Sequence, residues 1–121
     1  MIVDDYYYEA RKPLFVEVYD DKSAGRFAAE IGDRLRLMRG ERDPLFLYHP
    51  KRHRALGGLY GEESRLLLAC GYGDRDLVIT IADRDADYEH DCNRYCVEIS
   101  AVDGSDLRRL LREAEVRRRL F

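Results

Sequence analysis

The chain has 121 residues, 37% of them charged and 45% hydrophobic, with a net charge of −3. That length implies one domain, able to bury a core without disulfide or metal staples. The balance of charge and hydrophobicity excludes a disordered chain, and no run resembles a leader peptide or a membrane span.

The first strong pattern is Pro13 to Tyr19. Leu14, Val16 and Val18 alternate with Phe15, Glu17 and Tyr19, which predicts a strand. Tyr6, Tyr7 and Tyr8 precede it and are candidates for a partner strand or an aromatic contact with another protein. From about 23 to 38 the spacing predicts a helix. Ala24, Phe27, Ala28, Ile31, Leu35 and Met38 fall on one stripe, with Asp20, Asp21 and Ser23 as N-cap oxygens and Gly40 as the stop. Gly32 is a weak point inside it.

Short strands are expected next, at Leu45 to Tyr48 and Leu56 to Tyr60. Leu66 to Cys70 reads either as a central strand or as part of a short helix over 62–71. Leu77 to Ala82 and Cys96 to Val102 read as strands. Asp103, Gly104 and Ser105 close the last strand before a helix at about 106–119, whose apolar side is Leu107, Leu110, Leu111, Ala114 and Phe121. The order predicts one α+β domain over 1–121. It has an antiparallel or mixed sheet of five to six strands and two amphipathic helices, about 23–38 and 106–119, on one face.

Charge is segregated along the chain. Residues 1–31 carry a net −3, 32–60 a net +4, 61–104 a net −7 and 105–121 a net +3. Opposed surface fields of this kind act on partner choice and encounter rate. Three cysteines, an odd number, fit free thiols in a reducing, cytoplasmic setting.

The densest chemistry is the run from Asp83 to Cys92. Asp83, Asp85 and Asp87 resemble the start of a calcium loop, but Tyr88 stands where the turn needs Gly and Arg94 where the closing Glu belongs. His90, Cys92 and Cys96 supply three of the four ligands zinc wants, at an uncommon spacing. A Cys92 nucleophile with His90 or His49 is opposed by Glu89 and Asp91, which disfavour a thiolate. The expectation is therefore no metal, no cofactor and no catalytic residue, with Asp83, Asp85, Asp87, Glu89 and Asp91 forming an acidic partner-binding surface. That suits a small inhibitor, immunity-type or regulatory protein facing a basic protein partner.

Two alternatives stand beside it. One is a metal-dependent hydrolase built on Asp83, Asp85, Asp87 and His90. The other is a nucleic-acid binder using Lys51, Arg52 and Arg54 in the 49–54 loop with Arg108, Arg109, Arg112, Arg117, Arg118 and Arg119 of the last helix.

Overall fold

A computed structural model describes residues 13–41, 45–59 and 62–120. Period-two alternation builds its strands: β1 (Leu14–Asp20), β2 (Arg34–Met38), β3 (Phe46–His49), β4 (Arg54–Gly58), β5 (Leu77–Asp87) and β6 (Cys92–Ala101). All pairings are antiparallel, in the order β1-β6-β5-β2-β3-β4. With helices α1 (Glu62–Ala69) and α2 (Leu107–Leu120) this is an α+β fold.

One face of each strand is buried. Val16, Val18, Leu35, Leu37, Leu47, Leu56, Ile79, Ile81, Val97 and Ile99 form one core with Leu66, Leu67, Leu107 and Leu111 of the helices. Each such side chain contributes on the order of 1.5–3 kcal/mol on leaving water. The sheet curls until its two ends meet, so it is nearly a closed barrel. At the meeting point the absence of a side chain matters: a Cβ on Gly57 would lie 3.0 Å from the Tyr19 carbonyl oxygen and 3.2 Å from Val18 Cβ. No ladder joins β1 to β4 among the described residues.

The predicted helix over 23–38 does not form. Residues 21–33 are an irregular connection and Arg34–Met38 is a strand. Gly25 and Gly32 sit at φ +91° and +92°, a left-handed conformation that ends any right-handed helix. Ile31, on the predicted apolar stripe, is 60% exposed. Long-range bonds hold this connection where it lies. Asn93, fully buried on β6, donates from its amide to Asp20 and to the carbonyls of Ser23 and Arg26, and accepts from the amide of Gly25 at 2.9 Å. The Tyr95 hydroxyl donates to Asp20 and accepts from the Ala28 amide, each at 2.8 Å. Burial, helped by the Asp20 carboxylate, pushes the Tyr95 phenol up to about 12.

The ambiguous stretch 62–71 is helical over Glu62–Ala69. It ends in a Schellman motif, with Tyr72 N bonded to Leu67 O, Gly71 N to Leu68 O, and Gly71 at φ +81°. In α2, Asp106 caps the helix by accepting from the Arg109 amide at 3.1 Å. Both helices connect at the same end of the barrel, where β4 and β6 finish and β1 and β5 begin. Tyr6, Tyr7, Tyr8 and Phe121 lie outside the described residues.

Candidate interaction surface

The aspartates of β5 owe their position to one irregularity. Leu77, Ile79 and Ile81 point into the core, and strict alternation would send residues 83, 85 and 87 inward after them. A bulge between Ile81 and Asp83 shifts the register, and a one-residue shift exchanges the two faces of a strand. Asp83, Asp85 and Asp87 therefore stand outside, opposite Cys96, Arg94 and Cys92, while Arg84 turns inward. Its guanidinium lies 4.3 Å from the centre of the Phe27 ring and donates to the Ala29 carbonyl at 2.9 Å.

Antiparallel pairing adds residues from β1 and β6 to the same outer face. One row runs Phe15–Glu98–Thr80, the next Glu17–Cys96–Asp83, the next Tyr19–Arg94–Asp85. Phe15 and Tyr19 are 51% and 52% exposed. The Tyr19 hydroxyl donates to Glu17 at 3.0 Å, and Arg94 pairs with Asp85 at 2.6 Å. Glu17, Asp83, Arg84, Asp85, Arg94 and Cys96 line a shallow depression of about 450 Å³. Glu17 and Asp83 are two strand spacings apart, about 10 Å. That is close to the screening length of about 8 Å at physiological salt, so their fields add over the depression.

The acidic residues expected from sequence thus divide. Asp83 and Asp85 belong to the face. Asp87 lies at its end and accepts from the His90 ring at 2.8 Å and from the His90 amide, which holds its carboxyl below the ordinary value. Glu89 and the 78%-exposed Tyr88 are in the β5–β6 turn. Asp91, at φ +48°, accepts from the Ala24 amide at 3.0 Å and anchors the 21–33 connection. Glu17, Glu98, Phe15 and Tyr19, which share this face, were not singled out from sequence. Alternation in β1 and β6 put them on one side of their strands, but the pairing that unites them with β5 is not written in any single segment.

The chemistry of catalysis is poorly served here. Burial, then Asp87, raises the Cys92 thiol; burial, then Asp83, Glu17 and Glu98, raises that of Cys96. The His90 ring is engaged by Asp87. Among the described residues no three His, Cys, Asp or Glu side chains converge as a metal site.

The opposite side of the barrel is basic. Arg34 and Arg36 are exposed on β2, Arg36 pairing with Asp74 at 3.1 Å, and Tyr48 lies opposite Arg36. Lys51 and Arg52 are exposed in the β3–β4 turn, and Arg54 opens β4, half-buried. The turn is pinned by His49, which is 2% exposed. Its Nδ1 accepts from the Arg52 amide at 3.3 Å, so Nε2 carries the hydrogen donated to Asp33 at 2.7 Å. That bond holds the Asp33 carboxyl below its ordinary value. The turn and α2 lie at opposite ends of the barrel, so the fold does not join the 49–54 loop to the C-terminal arginines. Arg118 pairs with Glu62 at 2.9 Å and Arg119 with Glu115 at 2.7 Å.

Comparison of the chain with protein-family models, with curated proteins and with solved structures finds no match.

Proposed function

We propose that this chain is a small macromolecule-binding domain that engages a basic protein surface through the outer face of β1, β6 and β5. One observation carries the reading: Glu17, Asp83, Asp85 and Glu98 share a sheet face with the exposed rings of Phe15 and Tyr19. Aromatic area gives an interface its contact energy, while carboxylates give it sign and a fast encounter. That chemistry suits an inhibitor, immunity-type or regulatory role, in which the protein covers a basic surface. The free state of Cys70, Cys92 and Cys96 supports a cytoplasmic setting.

The test is capture from source lysate with two baits, the unaltered chain and the triple variant Glu17→Gln, Asp83→Asn, Glu98→Gln. A basic protein retained by the first and lost by the second is the expected result. Equal capture by both baits removes the acidic face from the account.

A second reading, nucleic-acid binding, is favoured by one observation on the other side. Arg34, Arg36 and Tyr48 adjoin on the β2–β3 face, with Lys51 and Arg52 at the turn beyond. Phosphates suit the cations and a base can stack on a tyrosine. In that case a labelled single-stranded oligonucleotide binds with a steep salt dependence, and Arg34→Ala with Arg52→Ala weakens it.

A further inference from the structure

Exposed apolar side chains scattered singly are ordinary on a protein surface. Ile31 is exposed too, but the backbone that carries it is bonded on both flanks. Glu30, Ile31, Gly32 and Asp33 make a tight turn, closed by the Asp33 amide donating to the Glu30 carbonyl at 3.0 Å. Gly32 stands third in it at φ +92°, where a side chain would be strained. The Glu30 amide donates to Asp33 Oδ2 at 3.0 Å, and the buried His49 donates from Nε2 to that same oxygen at 2.7 Å.

The turn is also tied to the sheet. The Gly32 amide donates to the Ile81 carbonyl at 2.8 Å, and the Ile81 amide to the Asp33 carbonyl at 3.0 Å. Just upstream, Ala28 and Ala29 are buried, and Arg84 donates to the Ala29 carbonyl. A loop supported in this way loses little freedom on binding, and that loss is a main cost of contacts made by loops. None of these bonds uses the Ile31 side chain, which lies outside the core. A fixed frame thus holds a branched aliphatic group out in water.

Its place matters. Ile81 precedes the bulge that turns Asp83 outward, and backbones bonded across a sheet lie about 5 Å apart. The turn therefore borders the acidic face at Asp83, and both fit within the roughly 800 Å² that each partner contributes to a standard interface. A turn is convex, so its complement is a concavity on another molecule. A small ligand has none to offer, and one isoleucine gives a lipid surface too little apolar area to hold a protein. A folded protein with an apolar pocket beside its cations meets both features.

We propose that Ile31 is the apolar anchor of the interface, entering a pocket on the basic partner next to the cations that face Glu17, Asp83 and Glu98. The proposal rests on the reading that the partner is a basic protein. It adds the group that holds the complex together once charge has brought the two molecules into contact.

The experiment uses the full chain and the basic protein identified by the two-bait capture, expressed separately, with rates read by biolayer interferometry. Ile31→Val should weaken binding about fourfold, the worth of one buried methylene, and Ile31→Ala more than about tenfold. Both losses should lie in dissociation and leave the salt dependence as it was. Asp33→Ala keeps Ile31 but removes the carboxylate that braces the turn, and should weaken binding severalfold. The acidic triple should act on association instead. Thermal melts establish that each variant is folded at the temperature of measurement.

Binding of Ile31→Ala within about twofold of the unaltered chain overturns the proposal. If the acidic triple still loses affinity in that case, the basic-partner reading stands on the sheet face alone; if the triple also binds normally, both fall. A lysate from which the unaltered bait retains no basic protein removes both as well. Unchanged binding by Asp33→Ala overturns the claim that the turn is held ready. Self-association of the chain in sedimentation, abolished by Ile31→Asp, would give the pocket to a second copy and overturn its assignment to a basic partner.

Discussion

The two sides of the barrel, β1-β6-β5 and β2-β3-β4, use the same inside-outside alternation but differ in length, regularity and charge. β5 and β6 pair from Leu77 with Ala101 to Asp87 with Cys92, whereas β2 pairs with β5 only at Arg34 and Leu35. The long side carries Tyr95 and Asn93, which bind the 21–33 connection, and presents carboxylates outward. The short side is interrupted by a register shift at Leu47–Tyr48, relies on Gly57 to close against β1, and presents arginines. Stability is thereby concentrated where the ladders are long. The seam, at the far edge of the short side, needs less disruption to open.

The largest effects should appear in the long side. Ile99→Ala should cost roughly 2–5 kcal/mol, because Ile99 is fully enclosed. Ile31→Ala should stay within about 0.5 kcal/mol, because Ile31 faces water. Urea denaturation measures both, and similar midpoints for the two variants would break the distinction between core and connection.

Next in size is Tyr95→Phe. It removes the hydroxyl that joins Asp20 to the Ala28 amide and should cost about 1–3 kcal/mol. The phenol sits near 10.0 when unfolded and about 12 in the fold. Folding therefore favours its protonated form, and that stabilisation is full below pH 10 and is lost as pH rises from 10 towards 12. Denaturation followed over this window should show a decline in the unaltered chain that Tyr95→Phe flattens.

A smaller effect belongs to the short side. The Asp33 carboxyl is held below its ordinary 3.8, chiefly by its hydrogen bond with His49. Its contribution is present above that ordinary value and disappears as pH falls through the depressed one. Asp33→Asn should cost about 1 kcal/mol at neutral pH. The difference from the unaltered chain should shrink on acidification below 3.8, as read from melts across an acid series.

Much of this architecture was legible in the sequence, and the failures are instructive. Strand alternation at 13–19, 77–82 and 96–102 and the 3.6-residue pattern of α2 each report a local rule that tertiary packing reinforces. The charge block 32–60 contains β2 to β4 and the block 61–104 contains β5 and β6, while β1 comes from the 1–31 block. The expected helix at 23–38 failed because its apolar stripe joined a loop to a strand. Leu35 and Leu37, alternating with Arg34 and Arg36, already carried period two, and Asn93 supplies from far along the chain the bonds that a helix would have made internally. On the outer sheet face, Asp83 and Asp85 were singled out from local composition. Glu17 and Glu98 were not, because their meeting depends on strand order and on the bulge after Ile81.

The smallest effects on stability, and the most telling for function, concern charge. Glu17→Gln, Asp83→Asn and Glu98→Gln together should shift stability by no more than about 0.5 kcal/mol for each position, as should Arg34→Ala with Arg52→Ala. Their effects on association should differ in kind. The decisive measurement is the association rate of the captured basic partner against ionic strength, for the unaltered chain, the acidic-side triple and the basic-side double. The account predicts that the triple slows association at low salt and flattens its salt dependence, while the double leaves both unchanged. An unchanged rate in the triple, or a loss confined to the double, would contradict the claim that the acidic side of the barrel is the binding surface.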